Sequence, residues 1–315
     1  MKAMVVERFG GVENMHMQEM PRPNPGDNEV LIKVAYAGVN PVDWKIREGY
    51  LKDMLPHDFP FIMGWDVAGT VVEVGKNVTS LSPGDKVYAD ARKPTVKWGT
   101  YAEYVTFDAK NTTKIPNNLS LKEAGALPIV SLTAWQSLFD AAHLKKGETI
   151  LIQGGSGGVG SMAIQFAKWA GAKVIATASP QKHDYIKNFG ADVAIDYKEN
   201  VLEHVHNFAE RGVDVVFDCV GGNAFTSSLP CLKKGGRIVS IRERLDEQQA
   251  KNLGITAIYV FVQPNGEQLA KIAELIEKGK VKPPHVEEMT LENAVSAQEK
   301  LRSGQVLGKI VLKIA

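Results

Sequence analysis

Cysteine is scarce in this chain: 315 residues contain two, Cys219 and Cys231. Two cannot form a disulfide framework or a four-thiolate zinc site. Net charge is nearly absent, with 37 Lys and Arg against 36 Asp and Glu. No basic stripe stands out, which removes the electrostatic case for nucleic acid or an anionic membrane surface. No apolar run reaches the roughly 18 residues of a membrane span, and the N-terminus reads as a strand rather than a signal peptide. The seven histidines are scattered, and His204 and His206, two apart, do not share a helix face. Neither an internal repeat nor a low-complexity tract is found. What remains is 44% hydrophobic and 23% charged, ordinary for a globular protein, and the length suggests two domains or one large one. These absences predict a reduced, cytoplasmic protein.

What is present is glycine at particular spacings. Thr149-Ile-Leu-Ile-Gln153 reads as an apolar strand, and Gly154-Gly-Ser-Gly-Gly-Val-Gly160 follows as a tight loop. A helix then carries apolar residues at Met162, Ile164, Phe166, Ala167 and Ala170, and a second strand spans Lys173–Thr177. Gly155, Gly157 and Gly160 fit G-x-G-x-x-G at a strand-to-helix turn. The first is expected to permit the turn, the second to let backbone approach a pyrophosphate, the third to let helix and strand pack. The helix N-terminus would face the anion. The pattern predicts a dinucleotide site.

Around that stretch the chain changes character. Residues 1–115 show short strands at Ala3–Glu7, Glu29–Ala37, Asp66–Val74, Asp85–Tyr88 and Ala102–Phe107. Turn signals such as Gly38-Val-Asn-Pro41 and Ser82-Pro-Gly-Asp85 separate them. A compact β-barrel-like domain is expected. Ser120-Leu-Lys-Glu123 is a capping box that opens a helix running through Ala124–Ala142 despite Pro128. A domain boundary is therefore expected near residue 122. From Thr149, strands at 149–153, 173–177, 192–195, 213–217, 236–241 and 256–262 alternate with helices. The fold class is thus α/β, a doubly wound parallel (Rossmann) sheet over 123–262 plus a β-rich domain. Helices at Glu267–Lys278 and Leu291–Arg302 and a strand at Lys309–Ile314 follow, and this tail is expected to return to the first domain.

The second strand ends Thr177-Ala-Ser-Pro-Gln-Lys-His183 with no acid to bind a ribose 2′-hydroxyl. Thr177, Ser179 and Lys182 suit a 2′-phosphate instead, which a carboxylate would repel. The plain alternative is that Lys182 is a solvated helix-start lysine. NADPH is the expected cofactor.

These features resemble the medium-chain dehydrogenase/reductase superfamily. Gly38-Val-Asn-Pro-Val-Asp43, Met63-Gly-Trp-Asp-Val-Ala-Gly-Thr-Val71, Pro83-Gly-Asp-Lys-Val87, Gly99-Thr-Tyr-Ala-Glu-Tyr104, Gly154–Gly160 and Gly308-Lys-Ile-Val-Leu312 are similar to its zinc-free quinone oxidoreductase, zeta-crystallin-like branch. The resemblance implies a GroES-like domain at 1–122 and 263–315. It also implies pyrophosphate contacts from Gly157, Gly158, Val159 and Gly160, and Tyr197 near the adenosine. Thr133, Ile241, Phe261, Val262 and Gln263 would lie near the nicotinamide, and Gly308 and Lys309 join the cofactor set. Where zinc alcohol dehydrogenases carry a catalytic cysteine, this chain has Asn40; where they have Gly-His-Glu, it has Gly64-Trp65-Asp66. The cysteine lobe is missing, so no metal is expected.

Without a metal to polarise a carbonyl, the substrate must already be electron-poor, as quinones and α,β-unsaturated carbonyls are. The candidate catalytic residues are Asn40, in the lost ligand position, with Tyr50 as a proton donor and Lys52 beside it. Asn before Pro also starts turns, and Tyr50 and Lys52 read equally as exposed loop residues. Trp65, Trp98 and Tyr101 could wall a flat ring; Trp65 could equally be core. Asp43 and Asp66 are expected to brace loops. The rival activities are an enone or 2-alkenal reductase and a non-catalytic NADPH-binding sensor or structural protein. The apolar run Ile255–Val262, as a sheet edge, points to a homodimer.

Overall fold

The computed structural model describes residues 1–314. The chain divides into two compact units, one of Met1–Ile129 together with the segment from Pro264 onward, the other of Val130–Gln263. In chain order, the first unit opens with β1 (Lys2–Val6), β2 (Met15–Glu19), β3 (Glu29–Val39), α1 (Pro41–Arg47), β4 (Phe61–Ile62), β5 (Asp66–Val74), β6 (Lys86–Asp90), β7 (Tyr104–Asp108), β8 (Thr113–Lys114) and α2 (Leu121–Gly125). The helix α3 (Pro128–Trp135) contains the division and runs into a π-helical turn at Gln136–Ala141. The second unit continues with β9 (Thr149–Gln153), α4 (Gly158–Trp169), β10 (Lys173–Ala178), α5 (His183–Asn188) and β11 (Val193–Asp196). After these come α6 (Val201–Phe208), β12 (Val213–Asp218), α7 (Asn223–Ser228), β13 (Leu232–Ser240), α8 (Glu247–Leu253) and β14 (Thr256–Tyr259). The returning segment holds α9 (Gly266–Glu277), β15 (Val286–Thr290), α10 (Ala294–Arg302) and β16 (Lys309–Lys313).

In the second unit, six strands pair in the order β11-β10-β9-β12-β13-β14, every pair parallel. β9 is buried along its whole length, as a strand covered on both faces must be. Leu151, Ile175, Val213, Val216 and Ile238 belong to its core. Because the strands are parallel, all their C-terminal ends lie on one edge, where doubly wound sheets bind ligands.

The first unit is built on β3, whose eleven residues pair with β5 on one side and, on the other, with β7 at Glu29–Lys33 and β16 at Tyr36–Val39. Val30, Ile32, Val67, Val87 and Phe107 fill its core. Thus β16, from the far end of the chain, lies directly beside the end of β3, where α1 begins.

Several elements differ from expectation. Pro128 does not sit inside a long helix; α2 ends at Gly125, and Pro128 starts α3, where its missing N–H costs nothing. The division between units follows at Ile129 rather than near residue 122, because α2 packs on the first unit. A Cβ at Gly125 would lie 2.8 Å from Tyr36, and the Ile129 amide donates to Asp66. Gly38-Val-Asn-Pro41 is not a turn between strands but the end of β3 and the start of α1, with Asn40 as N-cap, Pro41 following and Asp43 closing a capping box. The last sheet strand stops at Tyr259 instead of 262. Gln136 bonds both backbone groups of Gln263, accepting from its N–H at 2.9 Å and donating to its carbonyl at 2.8 Å, which draws that segment out of the ladder. β15, a polar edge strand of sequence Val-Glu-Glu-Met-Thr, lacks the apolar alternation that would announce it.

Candidate functional site

In the second unit, the residues expected at a cofactor come from the C-terminal ends of the parallel strands. β9 gives the glycine loop, β10 gives Ser179 and Lys182, β11 gives Tyr197, β13 gives Ile241, and β14 gives Phe261–Gln263. The loop assigns its glycines differently from the expected order. Gly154 makes the turn, at φ +78°. Gly155 is a packing position, where a Cβ would lie 3.0 Å from Ala176 and 3.2 Å from Ile164. Gly157 caps α4 and faces open space, its nearest heavy atom being the Gly154 carbonyl 3.6 Å from an added Cβ. At Gly160 a Cβ would collide with that carbonyl and sit 2.8 Å from Gly155 Cα. So Gly160 lets α4 start against the loop, and Gly157 leaves room for an anion at the amides of Gly158 and Val159.

Thr177 is buried, and its hydroxyl donates to Gln153 Oε1 at 2.6 Å while accepting from the Gly154 amide at 3.1 Å. Its carbonyl accepts from Gly155 at 2.8 Å. Thr177 therefore shapes the loop rather than facing a phosphate. Ser179 caps a 3-10 turn that ends at Lys182, both are half-buried, and Tyr197 is 55% exposed. Ile241 is half-buried and its amide donates to Asp218. Thr133 is buried in α3 and Val262 beyond β14.

In the first unit, a buried polar cluster joins positions far apart in sequence. Lys309 Nζ donates to Asn40 Oδ1 at 2.6 Å and to the Val39 carbonyl at 2.8 Å, with Asp66 Oδ2 at 3.6 Å. Asn40 Nδ2 donates to Asp66 Oδ2 at 2.8 Å. Asp66 Oδ1 accepts from Ile129 at 2.7 Å and so caps α3. Asp43 Oδ2 accepts from the Asn40 amide and from the Tyr101 hydroxyl, each at 2.8 Å. Asp90 lies opposite Asp66 across the β5–β6 ladder. Burial raises all three carboxyls, Asp43 and Asp90 to about 7 each. Lys309 opposes the rise at Asp66 and Asp43, and Arg92 opposes it at Asp90. Burial lowers Lys309 in turn, against the pull of Asp66 and Asp43.

This cluster changes the use of several candidates. Both ends of the Asn40 amide are engaged internally. Tyr101 is fully buried behind Asp43, and Trp65 is 5% exposed beneath the Arg92 guanidinium, 5.4 Å from its ring. These two are core, not walls; Trp98 is half-buried. Lys309 is held inside the unit, next to Gly308, whose φ of +67° and clash-free approach to His285 require glycine. Tyr50 is 68% exposed, edge-on to Trp44, and Lys52 is exposed. Asp43 and Asp66, expected to brace loops, instead hold helix starts, Asp43 at the N-cap of α1 and Asp66 at Ile129 of α3. The sequence carries no signal for Asp90 or Gln136, and Gly154, though part of the glycine loop, stands outside the G-x-G-x-x-G spacing, which hides its role in the turn. Among the described residues no group of three or more His, Cys, Asp and Glu is placed to hold a metal, and no helix is long and apolar enough to cross a membrane.

Comparison with known proteins agrees with this architecture. Residues 26–117 match the alcohol dehydrogenase GroES-like domain and residues 189–312 a zinc-binding dehydrogenase domain. A chloroplast envelope quinone oxidoreductase homolog of Arabidopsis thaliana is 34% identical over 96% of this chain and 95% of its own length. A 2-methylene-furan-3-one reductase of Solanum lycopersicum is 36% identical over 99% of this chain and 79% of its own. The Escherichia coli quinone oxidoreductase complexed with NADPH superposes with a TM-score of 0.90 at 27% identity, covering 99% of this chain and 100% of that one. The chain belongs to the quinone oxidoreductase branch of the medium-chain dehydrogenase/reductase family.

Proposed function

We propose that this protein is an NADPH-dependent, zinc-independent reductase that passes hydride to a quinone. The observation that carries the reading is the loop Gly154–Gly160 at the C-terminal edge of a parallel sheet, with Gly157 open and Gly160 closed to any side chain. That cradle suits a pyrophosphate, and the residues after the neighbouring strands suit the rest of a dinucleotide. Lys182 and Ser179, with no acid on that turn, favour a 2′-phosphate over a free hydroxyl. Tyr197 offers an exposed ring for the adenosine, and Ile241 and Phe261–Gln263 follow the strands that would flank the nicotinamide. A related solved structure named as an NADPH complex supports the same choice.

Zinc does not fit the residues present. The donor positions hold Asn40 and Asp66, Trp65 takes the place of a ligand, and the Lys309 ammonium already lies against both oxygen donors. Zinc takes three or four thiolate, imidazole or carboxylate ligands; of these positions only Asp66 offers one, and the adjacent cation would repel the metal. When bound, NADPH supplies hydride from its nicotinamide ring. Reduction without a Lewis acid demands an acceptor whose anion is delocalised, a hydroquinone or an enolate. Tyr50 would give the proton, and Lys52 would offset the developing charge. An enone acceptor is the second reading, since a related protein is named as a furanone reductase. Purified, metal-stripped protein should oxidise NADPH in the presence of quinones and leave simple ketones untouched. Enone turnover alone would move the assignment to the second reading. NADPH binding without any turnover would leave a sensor or structural role.

Two further assignments belong to this proposal. The free thiols of Cys219 and Cys231 suit a reducing compartment such as the cytoplasm, although a plant relative is named for the chloroplast envelope. The open edge of β14 suits pairing with a second copy of this chain; a monomer mass in light scattering would exclude it.

A further inference from the structure

We infer that the Lys309 ammonium is the resident cation of the first unit's buried cluster. It acts as a positioning residue for the Val39–Asp43 turn, in the place a metal ion would take. The inference concerns this chain's own residues and does not depend on which substrate is reduced. Lys309 is 3% exposed, Asn40 2%, and Asp43, Asp66 and Tyr101 are fully buried. An ammonium has three hydrogens, and their acceptors here are Asn40 Oδ1, the Val39 carbonyl and, at longer range, Asp66 Oδ2.

The consequence runs along the hydrogen bonds. The cation fixes which end of the Asn40 amide is the oxygen. The nitrogen must then face Asp66 Oδ2. Asp66 in turn holds the first N–H of α3, that of Ile129, and the backbone N–H of Asn40, the N-cap of α1, shares Asp43 with Tyr101. One ammonium thereby orders β3, β5 and the starts of two helices. Charge balance makes the same demand. Asp66 raises the proton affinity of Asp43, Asp66 and Asp43 raise that of Asp90, and Lys309 and Arg92 are the cations that oppose the rise across the cluster. Without Lys309, Asp66 would keep one amide donor from each of Asn40 and Ile129 but no positive charge, and a carboxylate so buried takes up a proton. The strand supplies no rival explanation. Lys309 opens β16 and its next three residues, Ile310, Val311 and Leu312, are wholly buried. An apolar residue would serve packing alone equally well.

The test uses the full chain with Lys309→Met, Asp66→Asn and the two combined, measuring thermal midpoint and NADPH-dependent turnover between about pH 6 and about pH 8. Lys309→Met keeps the side-chain length but removes the charge. Its midpoint is expected to fall and its turnover to drop by about tenfold or more near pH 8. Both losses should shrink as the pH falls, because burial raises the proton affinity of Asp66 and a protonated Asp66 no longer needs a counter-charge. Adding Asp66→Asn should restore the midpoint and most of the turnover and abolish that pH dependence. With the ammonium gone, the Asn40 amide can flip and accept from the new amide, while the new amide's oxygen still accepts from Ile129. A space-filling lysine predicts otherwise: Lys309→Met near wild type, or a loss that neither acid nor Asp66→Asn relieves. Either result overturns the inference. If Lys309→Met does not fold, recovery of a folded double variant decides the question. The midpoint arm stands even if the wild-type protein reduces no quinone, so failure of the functional reading would show separately.

Discussion

The glycine loop of the second unit and the charged cluster of the first are both tightly constrained, but by opposite means. The loop is made of backbone: a positive φ at Gly154, a forbidden Cβ at Gly160, and one threonine hydroxyl holding Gln153 to the turn. All of its parts lie within about twenty-five residues of one another. The cluster is made of side chains from positions 40, 43, 66, 90, 101 and 309, brought together by three sheet pairings and one helix start. The loop leaves open space beside its backbone at Gly157, whereas the cluster spends its polarity inward. An anion site can be built from local geometry, while a buried charge needs partners that only the finished fold delivers.

That contrast is sharpest under Asp66→Ala. The substitution strips Asn40, Ile129 and Lys309 of one shared acceptor and leaves a buried ammonium uncompensated. A loss of about 3–5 kcal/mol is expected, read as a lowered denaturant midpoint. No comparable loss is expected for an alanine at Ser179, which caps its turn without a side-chain bond.

Acidity should separate the two units next. Asp43 and Asp90 sit near 7 when folded, against 3.8 for a free carboxyl. The folded state therefore holds these protons more tightly than the unfolded chain. Their contribution is full below about pH 4 and is lost as pH rises through about 7, so in this window stability should fall with rising pH. The groups facing Asp43 are Tyr101, Asp66 and Lys309, and those facing Asp90 are Arg92, Asp66 and Asp43. Asp43→Asn should flatten the slope of unfolding free energy against pH between about 4 and 7, whatever it does to the absolute value. An unchanged slope would show that Asp43 titrates normally.

The loop can be broken in two distinguishable ways. Gly160→Ala forces a methyl into the Gly154 carbonyl and should cost about 1–3 kcal/mol as well as NADPH affinity. Gly157→Ala meets only the Gly154 carbonyl, at an ordinary contact distance of 3.6 Å, so its stability should hold while NADPH binding weakens. Titration of cofactor alongside thermal melts separates the cases; equal destabilisation by both would mean that Gly157 is packed, not open.

What could be read from the sequence follows the same division. The parallel sheet, the glycine spacing and the strand that starts at Thr149 were legible because period and turn chemistry are local. The helix α1 was also locally encoded, in the Asn-Pro-Val-Asp run of cap, first-turn proline and third-position acid, but the proline drew the reading to a turn. The roles of Tyr101 and Trp65 were not legible. Nothing near Tyr101 in sequence says that Asp43 will meet its hydroxyl, and an aromatic beside a glycine motif reads equally as wall or core. Lys309 looked like part of a closing motif because its partners lie about 270 residues earlier.

On the cofactor side, Lys182→Glu should raise the NADPH KM by about tenfold or more while changing that for NADH little, since only one ligand carries the 2′-phosphate. Equal changes for both cofactors would remove Lys182 from the phosphate.

The smallest effect is expected at Tyr50, which lies outside both constrained regions. Tyr50→Phe deletes only a hydroxyl from a largely exposed ring and leaves the edge-on contact with Trp44, 5.8 Å between centroids at 87°, intact. Stability should stay within about 0.5 kcal/mol. If Tyr50 delivers the proton, kcat should fall by about tenfold at most, because water can reach an exposed donor's place and a buried general acid would be worth far more. The NADPH KM should not move. A normal kcat at every pH would assign the proton to solvent and leave Tyr50 as a surface residue.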